Sequence, residues 1–86
     1  MRTIVFTPEA AREFEALDST IRERVEATLD QLAVAPLSLR NQIKRLKGQA
    51  ALRLRVGDWR IIFQLRSDEI LVLMIAHRSE AYRKER

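Results

Sequence analysis

The segment LRLRVGDWRIIFQLRSDEILVLMIA, residues 52 to 76, leaves little freedom in how this chain can fold. Leu52, Leu54 and Val56 alternate with Arg53 and Arg55, the period-two pattern of a strand with one apolar and one polar face. Gly57-Asp58 supplies turn chemistry, WRIIFQLR follows as a second strand, and Ser67-Asp68 turns the chain into EILVLMIA. That last run is apolar at nearly every position, so it is predicted to be a central strand covered on both faces. Three strands joined by such short turns pair antiparallel, and a meander results.

The upstream half reads differently. Arg2 to Phe6 has the β-branched and aromatic content of a short strand, stopped by Thr7-Pro8. Thr7 is placed to cap a helix, and Pro8 suits the first helical position, where its missing N–H has no partner to lose. Ala10, Phe14 and Leu17 line one side of that helix, which breaks near Asp18-Ser19. Thr20 and Glu23 match a capping box, and Ile21, Val25, Thr28, Leu29 and Leu32 recur at helical spacing until Ala35-Pro36 ends the second helix. The short link predicts an antiparallel helical hairpin. Residues 37 to 48 read mostly as loop, with a helical turn around Arg40 to Leu46. The predicted fold class is α+β: a short N-terminal strand, a helical hairpin, then a three-stranded antiparallel meander in one sheet with the helices on one face. Eighty-six residues make one domain, 1–86.

Strand parity then sorts the side chains. If Leu52, Leu54, Val56, Ile61, Phe63 and Leu65 meet the helices, Arg53, Arg55, Arg60, Gln64 and Arg66 face away, and counting along the last strand puts Val72, Met74, Ala76 and Arg78 with them. Arg53, Arg60 and Arg78 would converge. Trp59 has the parity of the helix side, and His77, also of the other parity, lies at a strand end where alternation can lapse. The charge is uneven: residues 40 to 60 carry Arg40, Lys44, Arg45, Lys47, Arg53, Arg55 and Arg60 against Asp58 alone, in a chain of net charge +4. A surface of that kind meets polyanions, or is simply a solvated basic face. With no cysteine, disulfides and thiolate metal sites are excluded, a single histidine without clustered carboxylates argues against a zinc site, and no cofactor is expected. The start, MRTIVFTPEAAREF, lacks signal-peptide character and no apolar run approaches the roughly 20 residues that span a bilayer, which predicts a cytoplasmic location without membrane contact.

Arginines with a tyrosine and a histidine suit a phosphodiester. The guanidinium fork matches phosphate oxygens in pairs and stabilises the added charge of a pentavalent phosphorane. Tyr82 and His77 can move a proton. Such a set fits RNA cleavage by the ribose 2′-OH, a reaction that DNA cannot undergo because it lacks the hydroxyl. Each residue also has a plainer role: Arg53 and Arg55 as a solvent face, Arg60 and Arg78 as ion-pair partners of Asp68, Glu69 or Glu80, Tyr82 as a cover, His77 as a strand-end residue. Pattern alone leaves both readings open.

The combination of LKG (46 to 48), LRLRVGDWRIIFQL (52 to 65) and AHRSEAYR (76 to 83) after FTPEAAREFEAL resembles the RelE/ParE toxin superfamily over nearly the whole chain. The resemblance implies a RelE-like, microbial-ribonuclease-type fold and the toxin of a type II toxin–antitoxin system. It implies a ribosome-dependent endoribonuclease that cuts mRNA in the ribosomal A site without a metal. A cognate antitoxin would wrap it with helical segments and link it to operator DNA. Residue by residue, Arg60 and Arg78 match the phosphate-contacting arginines, Tyr82 the C-terminal tyrosine of proton transfer or stacking, and His77 a frequent histidine. Arg53 and Arg55 match basic residues of the first hairpin strand, and Lys44, Arg45 and Lys47 extend the RNA-binding surface. The alternatives within the superfamily are a ParE-like toxin that inhibits DNA gyrase by binding, and an inactive relic of the fold.

Overall fold

The computed structural model describes residues 1–84, with side chains through Ala81. The chain runs β1 (Thr3–Phe6), α1 (Pro8–Glu15), α2 (Ser19–Val34), a 3₁₀ helix (Pro36–Gln42), β2 (Ile43–Arg45), β3 (Leu52–Val56), β4 (Trp59–Leu65), β5 (Glu69–His77) and α3 (Arg78–Lys84). Five strands form one sheet in the order β1-β5-β4-β3-β2, with β1 parallel to β5 and all other pairs antiparallel. The helical hairpin carries the chain from β1 to β2 at the opposite edge of the sheet, and the antiparallel strands that follow bring β5 back beside β1, the long connection that a parallel pair needs.

Local chemistry explains the ends of the elements. Thr7 is the N-cap of α1, its Oγ1 accepting from the Ala10 N–H at 3.2 Å, with Pro8 at the first helical position. Asp18, not Thr20, is the N-cap of α2 and makes no side-chain cap bond, so the capping box does not form. The helix begins one residue before Thr20, which places that hydroxyl inside the first turn. Ala35 closes α2 ahead of Pro36, as the proline requires.

The main core lies between the sheet and the α1–α2 hairpin. Val25, Leu29 and Leu32 of α2 meet Leu54, Ile61, Phe63, Ile70, Val72 and Ile75 of the sheet, all nearly or fully buried. Each such side chain contributes about 1.5–3 kcal/mol by leaving water. A second, smaller cluster of Leu46, Ala51 and Ile62, with Leu73 and Met74 packed on it, is separate from this core. The apolar run of β5 thus serves two clusters, as its composition predicts.

Two further expectations fail, for physical reasons. Residues 37 to 48 are not mostly loop: the helical turn lies earlier, at Pro36–Gln42, and Ile43–Arg45 is an edge strand paired with β3. Ile43 packs on the main core, and the flanking basic residues hid a strand only three residues long. Val72 faces the helices rather than the arginines, because the β4–β5 register slips between Ile62 and Phe63: Ile62 opposes Met74 while Phe63 opposes Val72. Leu73 is the extra residue of this bulge, and one inserted residue reverses parity on its two sides. Met74 and Ala76, beyond the bulge, do lie across from Ile62 and Arg60. Past β1 the outer edge of β5 is supplied by α1, where the Glu13 carboxylate accepts from the Ile75 N–H at 2.9 Å.

Candidate phosphate-binding site

The tight turn at Gly57-Asp58 organises the site. Gly57 has φ +61°, a left-handed conformation that glycine adopts at no steric cost. Its carbonyl accepts from Arg60 Nη1 at 2.9 Å, and the Trp59 carbonyl accepts from the same nitrogen at 3.0 Å. The Asp58 carbonyl accepts from the Arg78 N–H at 2.8 Å, tying the start of α3 to the hairpin. One turn therefore positions both Arg60 and Arg78.

Sheet register adds the other cations. Arg55 lies directly across from Arg60 and Lys44 across from Arg53, and these residues occupy the face opposite the Leu54–Ile61 pair. Arg60 lines three clefts. A space of about 440 Å³ is bounded by Arg53, Arg60, Arg78, Ser79 and Ala81. A second, of about 200 Å³, reaches Lys44, Asn41 and Gln42. The third, about 640 Å³, runs past Arg55, Arg60 and Arg78 to Gln31, Thr28 and Arg24 of α2. Burial first, and then the like charges of Arg53, Arg55 and Arg78, lower the Arg60 pKa from its ordinary value, while Asp58 opposes the shift. The part of that shift due to the neighbouring arginines is a repulsion that a bound anion would relieve.

The structure brings Arg53, Arg55, Arg60, Arg78 and Lys44 together. Arg45 pairs with Leu52, which turns it from the arginine face, and Lys47 is exposed in the β2–β3 loop and lines none of the three clefts. His77 opposes Trp59, their rings edge to face at 5.6 Å between centroids, and its Nδ1 lies 3.1 Å from Ser79 Oγ. Trp59 packs against the main core, so it and His77 belong to the helix side of the sheet. Tyr82 falls on α3 one turn beyond Arg78, and its side chain lies outside the described residues. Asp68 and Glu69 are remote from this cluster: Glu69 pairs with Arg66 at 3.1 Å, and the Asp68 carbonyl accepts from Thr3.

Arg24, Gln42 and Ser79 are cleft residues that sequence reasoning did not single out. Gln42 Oε1 is buried without a hydrogen-bond partner among the described residues. Arg24 arrives from a helix far away in sequence, so no local pattern announces it. Among the described residues no three His, Asp or Glu side chains gather in a way that would hold a metal ion. No helix there is long and apolar enough to cross a membrane.

Comparison with known proteins agrees with the fold. The mRNA interferase toxin RelE of Escherichia coli K12 is 26% identical over 81 residues, covering 90% of this chain and 85% of that protein. A chain of the RelB–RelE antitoxin–toxin complex from Methanococcus jannaschii superposes with a TM-score of 0.75 at 24% identity, covering 93% of this chain and 96% of the other. The isolated E. coli RelE toxin gives 0.74 at 19% identity, with 98% of each chain covered. The family model described as the ParE toxin of the type II toxin–antitoxin system parDE matches residues 4–82. The chain belongs to this family, and so to the RelE/ParE superfamily of type II toxins.

Proposed function

We propose that this toxin is an endoribonuclease that cleaves mRNA by attack of a ribose 2′-OH on the adjacent phosphate. The observation that carries the reading is Arg60, fixed by the Gly57 and Trp59 carbonyls among Arg53, Arg55 and Arg78 and lining three clefts. A pentavalent phosphorane carries more negative charge than the ground-state diester, so preorganised guanidinium groups bind it more tightly and lower the barrier. The 2′-oxygen forms a bond to phosphorus as the 5′-oxygen leaves. The products are a 2′,3′-cyclic phosphate and a 5′-hydroxyl.

Arg60 and Arg78 hold the reacting phosphate in this account, and Arg53, Arg55 and Lys44 hold the strand. Tyr82 is the proposed proton-transfer residue, since α3 carries it one turn past Arg78. His77 packs edge to face on Trp59 on the helix side of the sheet, with its Nδ1 3.1 Å from Ser79 Oγ. The name mRNA interferase borne by the E. coli relative supports RNA as substrate. We further propose that the message is met in the ribosomal A site in the cytoplasm and that no metal or cofactor takes part. A cognate antitoxin, of the kind solved with the M. jannaschii toxin, would cover the arginine face with helical segments and carry the pair to operator DNA.

A second reading has one observation in its favour. The matching family model takes its description from parDE, and a ParE-like chain would bind gyrase rather than cut RNA. Chemistry separates the two. On programmed ribosomes, a message with a single 2′-deoxy nucleotide before the scissile bond should resist cleavage completely. With the all-ribose message, Tyr82→Phe should lose about 10²–10⁴ in single-turnover rate, the range for a general acid or base, and His77→Gln much less. Cleavage of the deoxy message at the normal rate would contradict the 2′-OH mechanism.

A further inference from the structure

The third cleft extends beyond the residues that the proposed cleavage uses. It leaves Arg60 and Arg78, passes the Gly57 turn and ends against α2 at Arg24. The Arg24 guanidinium lies directly over Gly57: a Cβ built there would stand 3.0 Å from Arg24 Nη1 and 3.3 Å from its Cζ. The bare glycine thus admits the guanidinium to the turn that also holds Arg60. Arg24 is exposed and forms no ion pair among the described residues. It is therefore a cation brought to a cluster of cations, with Asp58 the one acid lining the cleft.

We propose that Arg24 and the Gly57 turn form a second phosphate subsite, which holds the RNA phosphate next to the one at Arg60. Arg60 and Arg78 line both this cleft and the 440 Å³ cleft that contains Arg53, so a strand held by them at one phosphate continues into the space where Arg24 waits. The forked guanidinium of Arg24 suits a diester's two unesterified oxygens. Its role is positioning: it touches no reacting atom, and it acts by fixing the strand on one side of the scissile bond. This inference rests on the proposed ribonuclease activity and adds the direction in which the substrate extends.

The test combines a protein change with a substrate change. Messages carrying a single neutral methylphosphonate at each linkage flanking the cleaved bond are cut on programmed ribosomes by the wild type, Arg24→Gln and Arg24→Lys. Glutamine preserves helix propensity at this exposed position, so folding is retained. For the wild type, one flanking linkage should cost roughly tenfold in kcat/KM when neutralised, the scale of a charge-assisted hydrogen bond. Arg24→Gln should lose the same factor on the native message, mainly in KM, and lose nothing further on that one neutral linkage, while Arg24→Lys recovers part of the loss. Independent, multiplying effects at every linkage, or an unchanged kcat/KM for Arg24→Gln, would overturn the subsite. If the wild type cuts no message, the ribonuclease reading itself fails and takes the subsite with it.

Discussion

Arg60→Ala is expected to lower the single-turnover rate of message cleavage about 10²–10³-fold, the loss seen when one preorganised charge stabiliser is removed from a transition state. The fold should survive the change. Burial and three neighbouring arginines already disfavour the Arg60 charge, so removing it relieves repulsion. The Gly57 and Trp59 carbonyls that it leaves lie at a turn where water can replace the lost donor. Circular dichroism and the urea midpoint should therefore match wild type to within about 1 kcal/mol, as for a surface polar substitution. Arg60→Lys keeps a charge but loses the planar fork that meets phosphate oxygens in pairs, and it should recover only part of the rate. Cleavage within threefold of wild type for Arg60→Ala would remove Arg60 from the site.

Phe63→Ala should cost about 3–5 kcal/mol, the usual range for deleting a buried aromatic ring. Phe63 is completely buried, opposes Leu52 on β3 and Val72 on β5, and stands where the β4–β5 register slips. The bulge allows both Phe63 and Val72 to reach the helical hairpin, so the cavity would open at the point where sheet and helices are joined. Small domains hold about 5–15 kcal/mol of stability in all, so this one change would remove a large share of the toxin's stability. Urea denaturation measures it. Met74→Ala provides the contrast, because Met74 is only partly buried against the smaller cluster and should cost less. A Phe63→Ala loss below about 1 kcal/mol would show that the core is not organised around this residue.

The meander was clear from its alternation and its two turns because strands of five to nine residues repeat their pattern often enough to be read. β2 was hidden because three residues give one alternation, and two of them are basic. The Leu73 bulge was hidden for a different reason: in a run apolar on both faces, one extra residue changes no hydropathy pattern, yet it moves Val72 to the helix side. Arg53, Arg55, Arg60 and Arg78 were found by counting parity along strands downstream of that slip or unaffected by it. Arg24 required knowing where α2 docks. Gly57 carries a trace of that docking, but a glycine in a hairpin turn already has a sufficient local explanation in its positive φ. Arg45 and Lys47 show the converse limit, since composition places them in a basic stretch and only register turns them away from the clefts.

We propose that the arginine face of this toxin cuts translated RNA. It is tested most directly by inducing the chain without an antitoxin and mapping new mRNA 5′ ends across the transcriptome, with DNA breaks scored in the same cells. The expected result is 5′-hydroxyl ends phased to codons within translated regions, absent when Arg60→Ala is induced instead. Intact messages accompanied by gyrase-linked DNA breaks would contradict it.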